Sequence, residues 1–136
     1  MMTKTRPQQA TGVTRWGASR AVDVDASSSK PEGQFVDVAL NIPEAVEISF
    51  YATSDLPLAG LSVLWKLNVG VGSTNHTESF TQNVQDVNAQ TPVALRRAAQ
   101  RIQISATVIN TNPEPRNVEI VAMVSPQFAA DCMGLR

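Results

Sequence analysis

His76 is the chain's single histidine and stands in the turn-like stretch "STNHTES". One imidazole without a cysteine or carboxylate cluster does not complete a tetrahedral metal site. A Ser/His/Asp triad would have to use it, yet no G-x-S-x-G elbow or other nucleophile context occurs. The single cysteine, Cys132, lies in "AADCMGLR" with only Arg136 nearby as a base, so it reads as an incidental thiol and excludes an intrachain disulfide. Asp37, Glu47 and Glu119 fall singly on the polar faces of alternating segments, where solvation rather than acid–base pairing is expected. "GVGSTN" lacks the lysine and following helix of a phosphate loop and reads as a hairpin turn. "NHT" matches a glycosylation acceptor only by its letters. The expectation is a protein that is not an enzyme, with no catalytic, cofactor-binding or metal-ligating residues.

Two basic features remain. Lys4, Arg6, Arg15 and Arg20 all precede the first acid, Asp23. In the same region "VTRW" carries an aromatic anchor, and "RAVDVDA" alternates Ala21, Val22, Val24 and Ala26 as a segment that could add to a sheet edge. Residues 10–26 therefore read as a strap ordered by contact, with Arg15, Trp16, Arg20, Val22 and Val24 as its partner-binding residues. "SSSKPEG" would link it to the body. The second feature is Arg96, Arg97 and Arg101, a candidate interface; on a helix Arg97 and Arg101 share one surface. On this reading, removing residues 1–30 leaves the body folded.

The elements that must position these residues are mostly strands. Val36, Val38 and Leu40 alternate with polar neighbours, as do Val46, Ile48 and Phe50, which predicts two strands separated by the turn "NIPE". "LSVLWKLNVGV" sets Leu61, Val63, Trp65, Leu67, Val69 and Val71 on one face. "HTESFTQNVQDV" predicts a more polar strand, at an edge or as the return arm of a hairpin. Ile102, Ile104, Ala106 and Val108 form one further alternating set, and Val118, Ile120, Ala122 and Val124 another, with "TNPEPR" predicted to join them as a hairpin. "TPVALRRAAQ" breaks the pattern. Thr91 as N-cap and Pro92 at the first helical position predict a short helix, with continuous strand as the alternative.

The fold class that follows is all-β: an antiparallel β-sandwich or jelly roll of six to eight strands, with an extended N-terminal arm and at most one short helix. At 136 residues the chain suits a single core. The expected division is an arm and linker at 1–33, a body at 34–127 and a tail at 128–136. Charged residues make up 17% of the chain and the net charge is −1, so no overall field draws it to nucleic acid or a membrane, and neither is expected as a partner. A weakly charged polar surface suits burial against other protein.

In this layout, a sandwich with an extended arm, little charge and little chemistry, the chain resembles the small jelly-roll structural proteins of virions. It is particularly similar to the decoration or cement proteins of tailed-bacteriophage heads. No diagnostic motif carries the likeness. The resemblance implies a homo-oligomer, dimer or trimer, that clamps a larger lattice such as a major capsid protein, with assembly in the host cytoplasm and residence in the virion. The alternatives are a ligand- or carbohydrate-binding sandwich module, and a coat or head-completion protein whose basic arm contacts nucleic acid. The first has only Trp16, Tyr51 and Trp65 as stacking candidates.

Overall fold

Period-two alternation runs through nearly every segment of the chain, and the backbone follows it. The computed structural model describes residues 16–55, 59–89 and 91–126. Seven strands occur there in chain order: β1 (Trp16–Val24), β2 (Ser28–Ser54), β3 (Leu61–Val71), β4 (Thr74–Asn83), β5 (Gln85–Asp86), β6 (Val93–Asn110) and β7 (Arg116–Pro126). The main path of the sheet is β1-β7-β2-β6-β3-β4. All of its pairs are antiparallel, and the short β5 runs parallel to the end of β2.

β2, at 27 residues, and β6, at 18, are long enough to pass through both layers of a sandwich. The first half of β2 pairs with Arg101–Asn110 of β6, which in turn pairs with β3, and β3 with β4. The second half of β2 pairs with Val93–Ala99 of β6 on one side and with β7 on the other, and β7 carries β1. The crossing between layers is marked in both strands. The register jumps between Ala39/Glu44 in β2 while β6 advances only from Arg101 to Ala99. This irregularity turns the ladder, as bulges do, and leaves Ile42 63% exposed at the corner.

The two layers enclose one core. Val36, Val46, Ile48, Phe50, Trp65, Leu67, Ile102, Ile104 and Ile120 are fully buried. Phe50, from the second half of β2, meets Trp65 of β3 and Phe80 of β4 at centroid distances of 4.9 Å each. Such tilted and edge-on contacts between rings stabilise beyond area burial alone. The Trp65 indole donates to Gln82 Oε1 at 2.8 Å, and Gln82 Nε2 donates to the Phe50 carbonyl at 3.0 Å. One buried amide thus satisfies a polar group from each layer.

Four expectations are corrected. First, Trp16–Val24 is not an extended arm: it is a strand paired with β7, and Trp16, Val22 and Val24 are buried in the chain's own core. Their alternation is that of a strand filling its own sheet, so removing residues 1–30 strips β7 of a neighbour. Second, "SSSKPEG" is not a linker, because all but its first residue belong to β2. Pro31 is tolerated there because, among the described residues, this half of β2 has a strand partner only on the β6 side, and Gly33 takes the positive φ of 68° that its irregular register needs. Third, the segment after Pro92 is strand rather than helix. Its alternation places Val93, Leu95, Arg97 and Ala99 on one face, and pairing with β2 outweighs helix propensity. The only helical turn among the described residues is a short 3-10 turn at Val87–Ala89. Fourth, "NIPE" lies inside one bent strand, and "TNPEPR" joins strands that flank β2 instead of forming a hairpin.

Candidate functional site

Each residue expected to meet a partner has a definite place. Arg20 sits on the inward face of β1, at the rim between the two layers. Its Nη1 donates to the Glu32 carbonyl and lies 3.3 Å from Glu32 Oε1, and its guanidinium lies 5.2 Å from the centre of the Phe35 ring. Arg97 plays the matching part at the opposite rim. From β6 it reaches Glu78 of β4 with two hydrogen bonds of 2.7 Å, Nε to Oε2 and Nη2 to Oε1. This bidentate fork holds the Glu78 carboxyl below its ordinary range and raises the Arg97 guanidinium, against the opposing effect of burial. An Arg–Glu pair within the chain therefore bridges the two layers at each side of the sandwich.

The remaining members of the expected set do not form a site with these. Arg101 donates to Asn75 Oδ1 at 3.2 Å, and Arg96 is exposed on the opposite face of β6 from Arg97. Arg96 and Arg97 face opposite ways by strand alternation, and Arg101 lies past the irregularity at which β6 passes between layers, so the three point to different surroundings. Arg15, the strap residues before Trp16, the C-terminal tail and Cys132 lie outside the described residues. Trp16 and Trp65 are both core residues, and Tyr51 is half-buried, so neither tryptophan is presented for stacking on a sugar.

A hub that the alternation of the sequence does not announce lies at one end of the sandwich. Asn110 is 1% exposed. Its Nδ2 donates to the carbonyls of Asp25 at 3.1 Å and Glu114 at 2.9 Å, while its Oδ1 accepts from the Asn112 backbone N–H at 2.9 Å. Asn112 Nδ2 in turn donates to the Ala59 carbonyl at 2.8 Å, and the Ser27 N–H to the Asn112 carbonyl at 2.8 Å. Three turns are locked together, including the one that follows β1. The two asparagines in "VINTNPEP" are the only trace of this in the sequence, and they read as ordinary turn formers.

Two cavities lie beside these features. One of about 110 Å³ is lined by Gln34, Lys66, Asn68, Gln103, Ile104 and Ser105 on the outer face of the β2–β6–β3 layer. Another of about 240 Å³ lies along Ser27–Ser29 and Ile109–Thr111. Both are smaller than the roughly 300–1,000 Å³ of typical small-molecule sites. Among the described residues no group of three or more His, Cys, Asp or Glu side chains is placed to hold a metal ion.

The sheet edges differ more sharply. The free side of β2's first half carries Pro31 and a glycine at positive φ, and β1's edge is bridged by Arg20 to the β2 main chain. β4 is likewise bridged, by Arg97 to Glu78, but only from side chain to side chain. Its ten residues, TNHTESFTQN, pair with β3 in unbroken register and contain no proline, glycine, lysine or arginine. Among the described residues β4 has no strand on its other side. Asn75, Thr77, Ser79, Thr81 and Asn83 form an exposed row of hydroxyls and amides along it.

No protein-family model matches the sequence, and no curated protein matches it. Solved structures with a similar course of chain include PRD1 vertex protein P5, with 12% identity over 85% of this chain and 99% of that one and a TM-score of 0.47. A TmCBM61 structure in complex with β-1,4-galactotriose shows 10% identity over 85% and 70%, with a TM-score of 0.43. A structure from disulfide-linked Bacillus endospore appendages shows 10% identity over 90% and 97%, with a TM-score of 0.39. At these scores the likenesses carry no argument about what this chain does.

Proposed function

We propose that this chain is a non-enzymatic structural protein that joins a larger protein assembly through an exposed edge of its sandwich. One observation carries the reading: the ten-residue edge of β4, which among the described residues has no strand on its outer side and holds no proline, glycine, lysine or arginine. Natural sandwiches usually blunt such edges with lysine, proline, bulges or cover, because an open row of main-chain donors and acceptors recruits another strand. The weakly charged surface supports the same reading. Within it, a small sandwich with little charge and little chemistry favours a small protein of a viral particle, of the decoration or cement kind. Trp16, Val22 and Val24 are buried in the chain's own core, so the reading places the fastening on β4 rather than on them.

The test is association with particles. Virus particles purified from the source of the sequence are expected to carry the chain at a fixed ratio to their shell protein. A Thr77→Lys/Thr81→Lys variant, charged along the β4 edge, is expected to stay soluble and folded but to leave the particle fraction. A chain found only outside the particles overturns the viral reading, and a variant that cosediments like the wild type overturns the edge.

A further inference from the structure

We infer that the occupant of the β4 edge is the β4 edge of a second copy of this chain, giving a two-fold dimer with a sheet continuous across both molecules. The inference rests on the reading of β4 as an assembly edge and names its partner. Residues directly opposite in an antiparallel sheet share a face, so a two-fold axis perpendicular to the sheet must pass through a residue of β4. Only two registers keep nine of the ten β4 residues paired. An axis at Glu78 sets that carboxylate against itself. An axis at Ser79 instead pairs Thr77 with Thr81, Asn75 with Asn83 and Ser79 with its own mate, a row of exposed neutral hydroxyls and amides that lie on one face. Cross-strand threonine pairs of this kind are stabilising, whereas opposed like charges are not.

The inner face also tolerates this register. Glu78 would stand opposite Phe80, and its charge is already balanced by Arg97 within the same molecule. His76 would face Gln82. Edges that add to a foreign strand often carry a charge pattern matching that strand. β4 has instead a nearly neutral sequence whose two halves match each other about Ser79, as an isologous contact needs.

The full chain is the sample. Sedimentation velocity is expected to show a concentration-dependent dimer. Ser79→Lys and Ser79→Glu are each expected to weaken dimerisation at least tenfold, with unchanged melting temperature once diluted to monomer. Mixing the two variants should restore the dimer, because unlike charges then face each other across the axis. In a Cys132→Ser background, Ser79→Cys should form a disulfide-linked dimer under mild oxidation, because opposed residues lie about 4.5–5.5 Å apart between Cα atoms, within disulfide reach. Ser19→Cys, on exposed β1, should not. A chain that stays monomeric at about a hundredfold the usual micromolar threshold for a weak dimer, or a Ser79→Lys dimer as tight as the wild type, overturns the inference. A monomer that still cosediments with particles removes self-pairing and leaves the proposed function standing; a dimer absent from particles does the reverse.

Discussion

Replacing Trp16 by alanine separates a strap from a structural strand. Trp16 is 7% exposed and belongs to the single hydrophobic core cluster, paired across the ladder with Val124. A tryptophan side chain buries about 200 Å², which at about 25 cal/mol per Å² sets an upper bound near 5 kcal/mol. Aromatic-to-alanine changes in cores cost about 3–5 kcal/mol once cavities relax. Trp16 opens its strand, where the backbone can settle into the space left behind, so the expected loss is about 3 kcal/mol. With an unfolding entropy of about 2.1 cal/mol/K per residue over 136 residues, the melting temperature should fall by about 10 °C. Circular-dichroism melts and urea titrations at low chain concentration read this directly, and the urea m-value should not change. A fall of less than about 2 °C, with weakened partner binding in its place, would mean that Trp16 reaches outward and would restore the strap.

Two further perturbations follow from the hub and the rim. Asn110→Ala strands the Asp25 and Glu114 carbonyls and the Asn112 N–H, and should cost about 3 kcal/mol; hydrogen exchange should quicken together in residues 25–27 and 111–115, and a cost below about 1 kcal/mol would contradict the hub. Glu78→Gln removes a carboxylate whose folded pKa is depressed by Arg97, so the wild-type advantage is fully present above the ordinary glutamate value of about 4.3. That advantage, about 1 kcal/mol near neutral pH for a half-buried bidentate pair, should shrink as pH falls through the lowered value. Denaturation of both proteins between pH 7 and 3 checks the sign, and a difference independent of pH would rule out the ion pair as its source.

Class and core were legible because alternation is a local property. Val36, Val38 and Leu40, the run from Leu61 to Val69, and the sets ending at Val108 and Val124 are buried as the period-two pattern predicts, since a strand with one wet face shows that face in its own residues. The polar strand of "HTESFTQNVQDV" was legible for the same reason, and β4 is an edge returning from β3.

What the sequence by itself determined, then, is that the chain builds a β-sandwich and which side chains fill it. Only the tertiary structure decided where each strand sits. It folded residues 16–24 onto β7, drew "ALRRAA" into a ladder with β2, and engaged Arg20 and Arg97 with glutamates 12 and 19 residues away. A short alternating segment carries the same pattern whether its sheet belongs to its own chain or to a neighbour, and an arginine on a strand does not reveal which carboxylate the opposite layer will bring to it. Those outcomes depend on long-range pairing, which the local pattern does not encode.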